Sequence, residues 1–68
     1  SDLHEAIMLR LLKAGRSMEE IADKLNMSVK SLYRKRTALS ERLGAGNFNE
    51  ACLFIFKNKL LDAAGNDP

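Results

Sequence analysis

The sequence is poor in the residues that hold proteins together covalently or through metals. It contains one cysteine and one histidine in 68 residues. Cys52 cannot form an intramolecular disulfide, and we expect an inert core thiol because no His or Lys stands at helical contact spacing from it. No ligand-type residue stands at a metal-binding spacing from His4 except the adjacent Glu5, which points elsewhere. We therefore expect neither a metal nor another cofactor.

Long apolar runs and catalytic groupings are also missing. The longest apolar run, residues 51–56, is far too short to cross a bilayer, so no membrane association is expected. No Ser/His/Asp set, carboxylate pair or phosphate-binding loop occurs, which argues against an enzyme. The lone cysteine and the lack of a signal peptide predict a soluble protein of a reducing cytoplasm.

The apolar residues recur at helical spacing, and no stretch shows the alternation of a strand. Candidate N-caps mark the helix starts. Ser28 stands alone, and the other three are followed by a Glu three positions later, as in a capping box: Asp2 with Glu5, Ser17 with Glu20, and Asn47 with Glu50. The sequence predicts one all-α domain over residues 1–61, with four helices at about 3–14, 18–25, 29–43 and 48–61. Residues 62–68 have nothing to bury, so we expect this tail to fray.

The second and third predicted helices are joined by a tight turn. Asn26 stands where the chain must take a left-handed conformation, which Asn tolerates better than other side chains. Ser28 follows as an N-cap for the next helix. Small Ala22 allows the two helices to approach closely. This is the plan of a helix-turn-helix domain, with the third helix as the recognition helix that enters the major groove of DNA.

Charge supports this interpretation. Residues 28–43 hold five cations against one anion, a net +4, whereas the whole chain carries +2. The rest of the chain is therefore slightly acidic. A basic helix on such a body is typical of a nucleic-acid-binding domain and predicts double-stranded DNA as the partner.

Helical spacing divides the third helix into two sides. The core side should hold Leu32, Leu39 and Leu43. The outward side gathers Lys30, Tyr33, Arg34, Thr37 and Glu41. Arg34 is the first candidate for a base contact, because a guanidinium can pair with both guanine acceptors, and Tyr33 and Thr37 border it. Packing at a helix boundary is the alternative role of Tyr33.

The other cations suit the DNA backbone better than the bases. Lys30 lies at the helix start and is expected to contact phosphate. Lys35 and Arg36 lie away from the centre of the outward side, so phosphate is their expected target too. The alternative for Arg36 is that its stem covers apolar neighbours. For each cation taken singly, the alternative is a solvated helix face.

Several linked positions are similar to one known family. They are Gly15, Glu20-Ile21-Ala22, Ser28, Leu43-Gly44 before Asn47, and Glu50-Ala51. From Asp2 to about Leu61 the chain resembles the LuxR/GerE-type helix-turn-helix domain, also the output domain of NarL/FixJ-type response regulators. Sigma-factor region-four domains share parts of the pattern, but the link from Leu43 to Asn47 and the fourth helix favour the LuxR/GerE type.

The resemblance implies a bacterial transcription regulator that works on the nucleoid, often by contacting RNA polymerase. By position it puts Tyr33, Arg34 and Thr37 at the base-contacting places. It puts Lys30, Ser31 and Lys35 near the DNA backbone, and we assign Ser28 to the same group. Arg34 replaces a frequent apolar residue and Lys35 a frequent His, so we expect an altered site preference. Such domains are commonly joined to a sensing domain in the same chain, and we expect this chain to be a fragment of a longer regulator.

The fourth predicted helix is apolar around most of its circumference. In the family this helix helps to form a dimer. We expect a homodimer through it, with these candidate interface residues: Leu53, Phe54, Phe56 and Leu60. The alternative is a wide core that buries every apolar residue of the helix. A rival function also stays open, a helical protein-interaction module that grips an acidic partner without base readout.

Overall fold

A computed structural model describes residues 2–61 and shows four α-helices with no strand in that range. They are α1 (Leu3–Lys13), α2 (Met18–Leu25), α3 (Val29–Arg42) and α4 (Phe48–Lys57). The predicted all-α class with four helices is confirmed. None of these helices is long and apolar enough to span a bilayer. The predicted fraying of the tail 62–68 falls outside the described residues.

Each helix begins at the N-cap that the sequence predicts. The side chains of Asp2, Ser17, Ser28 and Asn47 each accept a hydrogen bond from the backbone N–H three residues later, at 2.9–3.1 Å. Only Ser17 completes a capping box, because Glu20 accepts in return from the Ser17 N–H at 3.0 Å. That bond is the main reason why the pKa of Glu20 lies below its ordinary value. The same Glu pattern does not close a box at the other two N-caps, because the Glu5 carboxylate binds Arg42 and the Glu50 carboxylate accepts from the Gly46 N–H.

Left-handed residues close the first three helices. Gly15, Asn26 and Gly44 have φ of 87°, 54° and 67°. After each, the next N–H donates back to a carbonyl five residues earlier, as from Met27 to Ala22 at 2.9 Å, which satisfies the free end of the helix. The turn predicted at Asn26 between α2 and α3 is confirmed.

The core lies where the four helices meet. Met8, Ile21 and Leu32 are fully buried, one each from α1, α2 and α3. The other buried residues of this cluster are Leu9, Met18, Ala22, Leu39, Ile55 and Leu61. Leu43 was predicted to join them, which is wrong: it is the C-cap of α3, at the end of the helix, and is 38% exposed.

α4 is shorter than the sequence predicts. It ends at Lys57, and the Asn58 side-chain amide donates to the Phe54 carbonyl at 2.8 Å, which competes with continuation of the helix. Lys59 then takes a left-handed φ of 55°. Residues 60 and 61 are helical again, and the change of direction brings Leu61 back into the core at 6% exposure.

Candidate functional site

The outward side of α3 is exposed as its spacing predicts. Leu32 and Leu39 are buried against the other helices, which fixes the rotation of α3 about its axis. The five side chains opposite them are all exposed: Lys30, Tyr33, Arg34, Thr37 and Glu41. The three predicted base-contacting residues therefore share one accessible surface with the predicted phosphate contact Lys30.

Four of the five cations of α3 fall into two groups, and the fifth, Arg36, contacts aromatic rings instead. Lys35 forms an ion pair with Asp2, and Arg42 forms one with Glu5 at 2.7 Å. By contrast, Lys30 and Arg34 make no ion pair or side-chain hydrogen bond with any residue in the range 2–61. The net charge of α3 therefore overstates the positive charge that is free to bind another molecule.

The two ion pairs tie the start of α1 to one flank of α3. The Lys35 ammonium donates to the Asp2 carboxylate, and this is the main reason why the pKa of Asp2 lies below its ordinary value. One Arg42 nitrogen donates to both carboxylate oxygens of Glu5, at 2.8 and 2.7 Å, and so raises the pKa of Arg42. Sequence reasoning missed these partners, because the pairs join residues 33 and 37 positions apart.

Arg36 places its guanidinium over two aromatic rings. Its guanidinium carbon lies 4.7 Å from the centroid of the Tyr33 ring and 4.3 Å from that of Phe48, the first residue of α4. Both are cation–π distances. The structure therefore agrees better with the alternative in which the Arg36 side chain covers apolar neighbours than with the alternative of a solvated side chain. We call this group of three residues the Tyr33–Arg36–Phe48 stack.

The hydroxyl groups along α3 are partly occupied within the helix. The Ser28 hydroxyl accepts from the Ser31 N–H at 3.0 Å and donates to the Ser31 hydroxyl at 2.9 Å. The Thr37 hydroxyl donates to the Tyr33 carbonyl at 3.2 Å. Ser28 therefore has a structural role as the cap of α3, while Ser31 keeps its own hydroxyl proton for an external acceptor.

The candidate interface residues of α4 differ in exposure. Leu53, Phe54 and Leu60 are 69%, 51% and 45% exposed. Phe56 is half-buried against the core, and the Lys13 ammonium lies 5.4 Å from its ring centroid. The described residues therefore leave three large apolar side chains of this region in solvent, rather than burying all of them in a wide core.

The remaining reactive side chains stand outside this surface. Cys52 is half-buried, and burial raises the pKa of its thiol, which lowers its reactivity at neutral pH. His4 is exposed near the start of α1. Within residues 2–61, no three His, Cys, Asp or Glu side chains lie close enough together to hold a metal ion.

No protein-family model, curated protein or solved structure matches the chain.

Proposed function

We propose that the chain is a sequence-specific DNA-binding domain, the output domain of a bacterial transcription regulator, with α3 as its recognition helix. The observation that carries the proposal is the outward side of α3. Two cations without partners among residues 2–61, Lys30 and Arg34, stand there beside Tyr33 and Thr37, on a helix whose opposite side is buried in the core. An α-helix of this kind fits the major groove.

Each residue of this surface has a distinct proposed role. Arg34 pairs with the two acceptors of a guanine, which distinguishes one base pair from the others. Lys30, in the first turn of α3, neutralises a phosphate and holds the helix in register. Tyr33 and Thr37 add a hydrogen bond or a contact with a thymine methyl group. Ser31 contributes its free hydroxyl proton to the backbone contacts.

Lys35 and Arg36 stay predicted backbone contacts, but the structure changes what such contacts require. Lys35 must exchange Asp2 for a phosphate, and Arg36 must leave or share its two rings. Within residues 2–61, Lys30 and Arg34 have no such interactions to give up on binding. They therefore dominate the proposed electrostatic attraction to DNA.

The proposed assembly is a homodimer on DNA through α4. Exposed Leu53 and Phe54 supply an apolar surface of the kind that partners cover. A two-fold dimer would place two copies of α3 on half-sites about one helical turn apart. RNA polymerase is proposed as a further partner on the basis of the LuxR/GerE resemblance.

The test is selection of bound duplexes from a randomised DNA pool at moderate salt, followed by sequencing. The proposal predicts enrichment of a half-site, singly or as a spaced pair. Arg16→Ala is the control, since Arg16 is an exposed cation outside α3. It should enrich the same half-site as the unchanged chain. A folded domain that enriches no sequence would contradict the proposal.

The second candidate function is a protein-interaction module, which the exposed Leu53 and Phe54 favour. In that case α4 would carry the activity and α3 would bind an acidic surface by charge alone. DNA binding would then fall with salt but show no preference among sequences.

A further inference from the structure

We infer that Arg36 and Phe48 position the Tyr33 ring, so that the start of α4 helps to set which base α3 prefers. This inference rests on the proposed function and gives Arg36 a second role beside its predicted phosphate contact. It makes Arg36 and Phe48 positioning residues for a base contact that Tyr33 itself makes.

The geometry joins a surface residue of α3 to a fixed point in the fold. Tyr33 is 49% exposed and precedes Arg36 by three positions, so the two side chains are neighbours on the helix surface. The planar Arg36 guanidinium bridges from the Tyr33 ring to the Phe48 ring, with 4.7 Å and 4.3 Å to the two centroids. A guanidinium can stack on two aromatic faces at once, which a lysine ammonium cannot reproduce.

Two hydrogen bonds hold the backbone turn that carries Phe48. Asn47 caps α4 by accepting from the Glu50 N–H at 2.9 Å, and the Glu50 carboxylate accepts from the Gly46 N–H at 2.8 Å. The Phe48 side chain itself packs against the core. Tyr33, Arg36, Thr37 and Phe48 also line one shallow cleft of about 360 Å³ between α3 and the start of α4.

This arrangement matters for recognition because a free aromatic side chain loses rotational freedom when it binds. A ring that the folded domain already holds has less freedom to lose. It also approaches one base pair in a fixed direction, which favours one base over the others. Loosening the stack should therefore reduce preference at one base pair more than it reduces binding as a whole.

Arg36→Lys separates positioning from phosphate binding, because it keeps the charge and removes the planar group. If Arg36 positions Tyr33, the preference at one base pair falls about fivefold, the lower end of the cost of one mismatched pair. The salt dependence of affinity should stay unchanged, since no charge is lost. Retention of full base preference by Arg36→Lys would overturn the inference.

Phe48→Leu tests the same inference without touching a charge or the recognition helix. It should weaken preference at the same base pair as Arg36→Lys. Arg16→Lys is the control for the DNA measurement and should leave the preference intact. If Phe48→Leu alters affinity for all sequences equally, the inference fails.

Tyrosine fluorescence provides a readout that needs no DNA. Tyr33 is the only tyrosine and the chain has no tryptophan, so time-resolved anisotropy reports the motion of this ring alone. Both stack variants should increase its fast local motion, whereas Phe56→Leu, on the same helix but beside Lys13, should not. Unchanged ring motion in the folded stack variants would refute the positioning role. Increased motion in a chain that selects no DNA would refute the proposed function instead.

Discussion

At the scale of single residues, the turn between α2 and α3 depends on one backbone conformation. Asn26 has φ 54° and ψ 45°, which is left-handed. Most side chains pay about 1–2 kcal/mol for this conformation, whereas Gly and to a lesser degree Asn adopt it readily. The residue thus decides how α3 leaves α2, and hence where its outward side points.

We predict that Asn26→Ala lowers the free energy of unfolding by about 1 kcal/mol. Asn26→Gly should leave it nearly unchanged, because Gly adopts the left-handed conformation at least as readily as Asn but loses more backbone entropy on folding. Urea denaturation followed by circular dichroism measures both. Asn58→Ala and Asn58→Gly are the matched control pair. Asn58 also ends a helix, but its φ of −92° is negative and so does not favour Gly over Ala. An equal loss for the two substitutions at Asn26 would show that its side chain, not its backbone, stabilises the turn.

The N-caps and the left-handed turn were predictable because each depends on residues close together in sequence. The partners of the α3 cations were not. The local pattern places Lys35 away from the centre of the outward side, but it does not show that Lys35 pairs with Asp2 whereas Arg34 has no partner among residues 2–61. Such pairs depend on how distant helices pack, and spacing along one helix does not contain that information.

At the scale of elements, the ion pair of Asp2 and Lys35 fastens the start of α1 to α3. The pKa of Asp2 is lower in the folded chain than its ordinary value of 3.8. The stability that Asp2 contributes is therefore fully present above pH 3.8 and is lost as the pH falls through its lowered folded value. Because the pair is exposed, its contribution is small and depends on salt.

We predict that Asp2→Asn flattens the dependence of unfolding free energy on pH below about 4, at low ionic strength. Urea titrations at a series of pH values measure this slope. Asp23→Asn is the control, since Asp23 is an exposed aspartate with no ion pair within residues 2–61. Equal slopes for Asp2→Asn and the unchanged chain would mean that the pair contributes nothing to stability.

The elements themselves show where sequence patterns stop being sufficient. The apolar positions predicted α4 to run to residue 61, because Leu60 and Leu61 continue its pattern. In the structure α4 ends at Lys57, and Leu61 reaches the core through a left-handed residue, Lys59. An apolar pattern indicates which residues are to be buried. It does not determine the backbone path, because two different paths can bury the same leucine.

At the scale of the whole molecule, a small domain with exposed Leu53 and Phe54 should associate. We predict a dimer whose population rises with protein concentration in sedimentation equilibrium and which Leu53→Gln weakens. Leu3→Gln is the matched control, because Leu3 is exposed to a similar degree, 71% against 69%, but lies on α1. Equal weakening by both would indicate nonspecific apolar association. No effect of Leu53→Gln on a measurable dimer would remove α4 from the interface.

The central claim, that the outward side of α3 reads bases, is tested most directly by comparing Arg34→Ala with Lys30→Ala on selected and scrambled duplexes over a salt series. We predict that Arg34→Ala loses about 1–3 kcal/mol of discrimination between the two duplexes. Lys30→Ala should weaken both equally and reduce the salt slope by about one. If the two variants lose the same affinity on both duplexes, α3 binds by charge alone and the claim is wrong.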